Sequence, residues 1–224
     1  MKYSSIIKGK FKSRPNRFIA IVEIDGKDEI CHVKNTGRCK ELLTENAVVC
    51  LNKSDNQNRK TKYDLIAVEK GNLLINMDSQ VVNNVCAEYI PKMFKDIVFI
   101  KPERKYENSR FDFFVETKTE KIFIECKSVT LEEGGVALFP DAPTERGCKH
   151  LKELQNALKN GYTAYVIFII QMKGVTSFEP NVKTHHEFAE ELKRAKENGV
   201  NILAFDCIVT EDEIKIDKEI DIKL

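Results

Sequence analysis

One spacing constrains the fold of this chain more than any other feature of its sequence. Asp112 is followed, after twelve intervening residues, by the triplet Glu125-Cys126-Lys127. The segments that carry them, RFDFFVE at 110–116 and KIFIECK at 121–127, are short and rich in aromatic and β-branched residues, so both are predicted as strands. The polar residues 117–120 between them predict a hairpin turn. If that turn is symmetric, Asp112 faces Glu125, with their Cβ atoms about 4.5–5.5 Å apart.

The chemistry of this hairpin depends on which side chains share a face. Side chains alternate along a strand, so Glu125 and Lys127 are expected on one face with Phe123. The opposite face takes Ile122, Ile124 and Cys126. Two facing carboxylates repel each other, and a hard divalent cation offsets this repulsion with its oxygen ligands. A lysine beside them can offset the charge on a phosphate.

The hairpin therefore predicts a metal-dependent phosphodiesterase site. Its catalytic residues are Asp112, Glu125 and Lys127, and its Mg²⁺ or Mn²⁺ ligands are Asp112 and Glu125. The alternative is a surface hairpin in which each carboxylate forms ordinary ion pairs with a lysine or arginine.

Longer motifs surround the hairpin and continue beyond it. SRFDF, IECKSVTL, FPDAPTERG and KHLKEL occur in an order and spacing that resemble the sugar fermentation stimulation protein A family. The N-terminal half extends the resemblance through RPNRF at 14–18, HVKNTGR at 32–38, ELL at 41–43 and RKTKYDL at 59–65. The resemblance implies a two-domain α+β / α/β protein: an N-terminal OB-fold-like β-barrel and a C-terminal PD-(D/E)xK nuclease-like mixed α/β sheet. We place these domains at 1–82 and 83–224.

The resemblance also implies DNA as the partner, and three functions stay open. The first is a divalent-metal-dependent nuclease. The second is a non-catalytic DNA-binding regulator that affects sugar metabolism genes. The third is a direct role in sugar metabolism, but the chain has no Gly-rich phosphate loop of the usual kinds.

Composition indicates a globular protein of the cytoplasm. Hydrophobic residues make up 42% of the chain and charged residues 32%. The longest apolar run, Ala164 to Ile170, is too short to span a bilayer, and the N-terminus has no signal-peptide core. The seven cysteines include no C-x-x-C pair, which predicts reduced thiols and no structural zinc.

The charge is unevenly distributed along the chain. Residues 1–82 carry fifteen Lys/Arg and ten Asp/Glu, a net charge of +5, although the whole chain is only +1. We call residues 1–82 the N-terminal lobe. A basic lobe is typical of a protein surface that binds the phosphate backbone of a nucleic acid, and the alternative is an ordinary solvated face. The candidate nucleic-acid-binding residues are Arg14, Asn16, Arg17, Arg38, Arg59 and Lys60. Phe18 beside them could stack on a base, but we expect it in the barrel core.

Hydrophobic periodicity and turn residues predict the remaining elements. Strands are expected at 5–12, 17–24, 29–34, 47–52, 63–69, 72–76, 97–104, 110–116, 121–127, 164–170, 200–209 and 213–217. Helices are expected at 37–43, 81–92, 145–159 and 184–198. The segment with Gly134-Gly135 and Pro140 is expected to be a loop.

Five further residues are candidates for accessory roles: Glu88, Glu103, Asp141, Arg146 and His150. Glu103 lies on the predicted strand before the one that carries Asp112. A glutamate on a helix often accompanies nuclease sites of this type, and Glu88 is the available candidate. Asp141 is either a turn residue or a neighbour of the metal. Arg146 and His150 share one helix side, which faces either phosphate or solvent.

Overall fold

Strands β1–β6 form the N-terminal part of the computed structural model, which describes residues 1–56 and 58–224. They are β1 (Ile6–Asn16), β2 (Ile19–Ile24), β3 (Lys27–Val33), β4 (Val48–Lys53), β5 (Tyr63–Lys70) and β6 (Leu73–Asn76). Their order is β3-β2-β1-β4-β5-β6, and a further parallel pairing of β3 with β5 closes β1–β5 into a barrel. The OB-fold-like barrel is thereby confirmed.

The predicted helix at 37–43 is wrong. The segment between β3 and β4 contains turns and no helix; in the first turn, the N–H groups of Leu42 and Leu43 both donate to the Cys39 carbonyl. Cys39 has a φ of 46°, in the left-handed region that an α-helix cannot accommodate. The Arg14 side chain adds a second constraint, because it donates to the carbonyls of Asn35, Gly37 and Arg38.

The remainder of the chain alternates strands with helices. Its elements are α1 (Val81–Met93), β7 (Ile97–Tyr106), β8 (Ser109–Thr117), β9 (Lys121–Val129), β10 (Leu131–Glu133), β11 (Val136–Phe139), α2 (Glu145–Lys159), β12 (Thr163–Ile170), β13 (Ser177–Pro180), α3 (His186–Glu197), β14 (Asn201–Val209), β15 (Ile214–Glu219) and β16 (Asp221–Ile222). The predicted boundary between residues 82 and 83 falls inside α1.

A six-stranded mixed sheet in the order β15-β14-β12-β9-β8-β7 is the framework of the C-terminal part. β9 and β14 flank β12 in parallel, as expected for its uninterrupted apolar sequence. One face of the sheet packs with α2 and α3, and this core continues into the barrel. The other face packs against α1. The predicted mixed α/β sheet is confirmed, and β9 lies between the two helical layers.

A small second sheet, in the order β10-β11-β13-β16, was not predicted from the sequence. The expected loop around Gly134 and Gly135 is a hairpin between β10 and β11, and both glycines have positive φ. β11 then pairs in parallel with β13, about forty residues later in the chain. No helix in the described ranges is long and apolar enough to cross a membrane.

Candidate functional site

The β8–β9 hairpin has the register expected of a symmetric turn. Phe113 pairs with Ile124 and Glu116 with Lys121, and the Thr117 N–H donates to the Glu120 carbonyl at 2.9 Å. The paired ladder ends at Phe113, because the Asp112 carboxylate itself accepts a hydrogen bond from the Cys126 N–H at 2.8 Å. The hairpin thus opens at the point where Asp112 and Glu125 lie.

The two faces of β9 are occupied as predicted. Phe123 packs in the core shared with α2, and the residues of the other face pack in the core under α1. Those residues are Ile122, Ile124 and Cys126. Glu125 therefore points toward α2, where His150 lies.

Glu125 is buried, with 4% of its surface exposed, and its two oxygens have different surroundings. Oε1 contacts the His150 Nδ1 and accepts from the Lys127 Nζ at 2.7 Å. Oε2 is also buried and has no hydrogen-bond partner. Burial raises the pKa of Glu125, but the charge of Lys127 and the contact with His150 outweigh this effect and leave the pKa below its usual value. The side chain is thus an ionised carboxylate with one free oxygen.

Asp112 has a different environment. Its Oδ1 accepts from the Asn83 Nδ2 at 2.9 Å, and Oδ2 accepts from the Cys126 N–H. Burial raises the pKa of Asp112 above its usual value, and the negative charge of Glu125 raises it further. Among the residues that the structure describes, none forms an ion pair with Asp112. The alternative of ordinary ion pairs thus applies to Glu125, which pairs with Lys127, but not to Asp112.

A cavity of about 280 Å³ brings Asp112, Glu125 and Lys127 together. It lies where α1 and α2 begin. Its other lining residues are Ser79, Val82, Asn83, Cys126, Ser128, Thr144, Arg146 and Gly147. A buried carboxylate oxygen without a partner is costly unless an ion or water satisfies it. The residues present therefore fit a hard divalent cation held by Asp112 and Glu125.

Helix α2 positions two of the accessory candidates. The Thr144 side chain caps its first turn by accepting from the Gly147 N–H at 3.0 Å. His150, with 4% exposure, faces Glu125, so a solvent-facing position is excluded for it. Arg146 is exposed, and its Nε donates to the His150 Nε2 at 3.3 Å. His150 accordingly accepts at Nε2 and donates from Nδ1 toward Glu125.

The other accessory candidates lie outside the cavity. Glu88 pairs with the N-terminal ammonium group of Met1, and Asn83, five residues earlier on α1, occupies the position beside Asp112. Glu103 is exposed and pairs with Arg110. Asp141 accepts from the Arg38 N–H at 3.0 Å, so it joins the C-terminal part to the barrel.

The candidate nucleic-acid-binding residues fall into two groups. Arg14 and Arg59 are committed to internal contacts: Arg14 donates to backbone carbonyls, and Arg59 pairs with the buried Asp64. The exposed group comprises Asn16, Arg17, Arg38 and Lys60. Phe18 is 44% exposed, which contradicts the expected position in the barrel core, and the Arg17 guanidinium lies 4.7 Å from its ring centroid.

Sequence reasoning missed the polar support beneath the site. Gln171, fully buried, donates to the Asn76 side chain at 2.8 Å and to the Asp78 carbonyl at 2.9 Å, and its Oε1 accepts from the Ser128 hydroxyl. This network ties the end of the barrel to β9 one residue after Lys127. A glutamine at the end of an otherwise apolar strand was its only signal in the sequence.

A second cluster of potential metal ligands lies at the starts of α2 and α3. Glu145, His185 and Glu187 bring their ligand atoms within 4.8 Å of one another. The His185 Nδ1 accepts from the Thr144 N–H at 3.2 Å, which leaves the proton of the neutral ring on Nε2. A protonated Nε2, which lies 3.7 Å from the Glu145 Oε1, offers a proton and no lone pair to a cation, so this cluster does not favour a metal.

The barrel and the mixed sheet define an OB domain joined to a mixed α/β domain that contains the carboxylate cavity. The family profile described as "SfsA N-terminal OB domain" matches residues 13–77, and the profile described as "Sugar fermentation stimulation protein RE domain" matches residues 76–213. The chain belongs to the sugar fermentation stimulation protein family.

Similar proteins extend over the whole chain. The sugar fermentation stimulation protein homolog of Clostridium beijerinckii is 65% identical, with 100% of both chains covered. That of Desulfitobacterium hafniense (strain DCB-2) is 60% identical, with 100% of this chain and 99% of the relative covered. The solved structure of Pyrococcus furiosus SfsA in complex with Ca²⁺ is similar with a TM-score of 0.91 and 29% identity, over 100% of this chain and 98% of that chain.

Proposed function

We propose that this protein is a divalent-metal-dependent nuclease that cleaves phosphodiester bonds in DNA. The observation that carries the proposal is the buried, unpartnered Oε2 of Glu125, which lies in one cavity with Asp112 and Lys127. The contacts with Lys127 and His150 account for Oε1 but leave Oε2 of the buried carboxylate unsatisfied, and a purely DNA-binding surface would gain nothing from two buried acids.

Mg²⁺ or Mn²⁺ is the proposed cofactor, with Asp112 and Glu125 as its ligands. The complex of Pyrococcus furiosus SfsA with Ca²⁺ supports this, because Ca²⁺ and Mg²⁺ are both hard cations that bind oxygen. When bound, the ion would polarise a phosphoryl oxygen and lower the pKa of a water molecule.

The protein side chains have separate roles in this proposal. Lys127 pairs with Glu125 and would offset the charge that develops on the phosphate. His150 holds Glu125 by Oε1, so Oε2 would be available to the ion. Asn83 and the Cys126 N–H hold both oxygens of Asp112, so the two ligands are fixed by their neighbours.

DNA is the proposed partner because of the N-terminal lobe. Residues 1–82 carry a net charge of +5, and the exposed pair of Arg17 and Phe18 offers a cation and an aromatic ring on the surface. The same features also support the second candidate, a non-catalytic DNA-binding regulator that affects sugar metabolism genes. The seven buried, unpaired cysteines support a reducing compartment, which we propose is the cytoplasm.

Degradation assays with purified protein separate the two candidates. Single- and double-stranded DNA, and RNA as a comparison, are incubated with Mg²⁺, with Mn²⁺ and with EDTA. A nuclease cleaves DNA with either ion and is inactive with EDTA. Tight DNA binding without cleavage under every condition would instead establish the regulator.

A further inference from the structure

A second cleft, of about 500 Å³, adjoins the carboxylate cavity. It is lined by Lys105, Glu107, Asn108, Ser109, Arg110, Arg146, Lys149 and His150. The Arg146 side chain lines both spaces, so they are separated by a single residue. His150 links the two spaces, because it lines the cleft and its Nδ1 contacts Glu125, which lines the carboxylate cavity.

The lining of the cleft is strongly basic. Four cationic side chains, Lys105, Arg110, Arg146 and Lys149, surround one acid, Glu107. Glu107 accepts a hydrogen bond from Asn156 at 3.1 Å. Arg110 pairs with Glu103, but both side chains are more than 60% exposed, and such surface pairs contribute little stability. Lys149 donates to the Asn108 carbonyl at 2.8 Å and lies 3.7 Å from Glu153. Lys105 and Arg146 form no ion pair with any residue that the structure describes, so at least these two cations and the weakly paired Arg110 are available to an anionic ligand.

Ser109 is a second, independent indication of a ligand. Only 9% of the surface of Ser109 is exposed, and its Oγ has no hydrogen-bond partner. Buried hydroxyls in proteins are rarely left unsatisfied. Ser109 lines the same cleft as the four cations, and its hydroxyl, which is unsatisfied within the protein, is a potential donor to an anion bound there.

We infer that this cleft binds a backbone phosphate of the nucleic acid, adjacent to the phosphodiester held at Asp112, Glu125 and Lys127. The inference rests on the proposed function. A polynucleotide strand that leaves the carboxylate cavity past Arg146 would place its next phosphates among these cations. Arginine and lysine are the residues that bind phosphate best, and a serine hydroxyl adds a directed donor. Phosphate recognition is thereby assigned to the C-terminal domain as well as to the barrel.

Binding of a short fluorescent single-stranded DNA in EDTA tests this assignment without any cleavage. Lys105→Glu/Arg110→Glu reverses two cleft charges. Lys193→Glu/Lys196→Glu makes the same change in charge at two exposed positions of α3 that line neither cavity. We expect the first variant to bind at least about tenfold more weakly and to lose about two units of salt slope. The α3 variant should stay close to wild type.

Ser109→Ala provides a test that changes no charge. We expect about three- to tenfold weaker DNA binding, because one hydrogen bond to the anion is lost. The free protein should unfold at the same or a higher denaturant concentration, since an unsatisfied hydroxyl is removed. A merely structural serine would show the reverse, with lower stability and unchanged affinity.

The outcomes distinguish this inference from the proposed function. If wild type cleaves DNA but the cleft and α3 variants bind equally, the cleft assignment is wrong and the nuclease stands. If wild type binds through the cleft but never cleaves, the nuclease is wrong and the cleft stands. A wild type that neither binds nor cleaves nucleic acid refutes both.

Discussion

Glu125 determines the chemistry of the site through the unequal surroundings of its two oxygens. One is held by Lys127 and His150, and the other is buried without a partner. The pKa of Glu125 is lowered, mainly by the charge of Lys127 acting against burial, so the free oxygen is anionic at neutral pH. An anionic oxygen in a closed environment is what a divalent cation requires.

Metal binding should therefore depend on Glu125 and not on the other acidic cluster. We expect Glu125→Gln to weaken Mn²⁺ binding by at least about tenfold in calorimetry, as the loss of a metal ligand or its support usually does. Glu145→Gln, in the cluster with His185 and Glu187, is the matched control and should bind like wild type. The reverse result would place the ion at the starts of α2 and α3.

Asp64 should make stability depend on pH. Burial raises its pKa, but the hydrogen bonds from Arg59 and Lys34 outweigh this effect and lower the pKa from 3.8 to about 2. A lowered pKa gives stability that is present above pH 3.8 and is lost as pH falls toward 2. Urea unfolding of wild type and Asp64→Asn should differ by about 2 kcal/mol at pH 7 and converge between pH 4 and pH 2. A difference that stays constant over this range would contradict the assigned pKa.

At the scale of elements, the segment between β3 and β4 contacts the C-terminal α/β domain and so joins it to the barrel. A side chain at Gly37 would bring its Cβ into a steric clash with the Asp141 Oδ2, and Asp141 in turn accepts from the Arg38 N–H. The close approach of the two domains at this point requires a glycine.

Gly37→Ala should consequently destabilise the protein by about 1–3 kcal/mol, the usual cost of overpacking. The cost should be smaller in an Asp141→Ala background, where the clashing carboxylate is absent. Denaturant unfolding of the two single variants and the double variant measures this coupling. An equal cost in both backgrounds would show that Asp141 does not restrict Gly37.

Elements that follow from a local sequence pattern were predictable, whereas elements that depend on contacts between residues far apart in the sequence were not. The strands of the barrel and the β8–β9 register follow from alternation and turn residues. The turn at Cys39 depends on a side chain from β1, and the second sheet depends on a pairing between β11 and β13. Asn83 was missed because an acidic residue was expected on α1, and an amide holds Asp112 there instead.

At the scale of the whole molecule, charge and burial are divided between the two domains. The N-terminal lobe carries the excess of positive charge, and the C-terminal domain buries Glu125 of the candidate site. Arg14 lies in the lobe but uses its guanidinium to hold backbone carbonyls, whereas Arg17 and Arg38 are exposed. DNA contacts from the lobe should accordingly come from Arg17 and Arg38.

Arg17→Glu/Arg38→Glu should weaken DNA binding and flatten its salt dependence by about one unit for each lost phosphate contact. Fluorescence anisotropy over a range of salt concentrations measures both quantities, and Lys193→Glu/Lys196→Glu again controls for net charge. An unchanged slope would place the contacts of the lobe elsewhere.

Measuring DNA cleavage by the Lys127→Ala variant tests the proposed nuclease activity most directly. Wild type, Lys127→Ala and Glu125→Gln are compared on the same DNA with Mg²⁺ or Mn²⁺, and metal and DNA binding are measured in parallel. We predict cleavage by wild type alone. Lys127→Ala should keep its metal affinity, since a lysine is not a ligand, and both variants should retain most of their DNA affinity. Cleavage by Lys127→Ala at the rate of wild type, or the absence of cleavage in wild type with either ion, would contradict the proposed site.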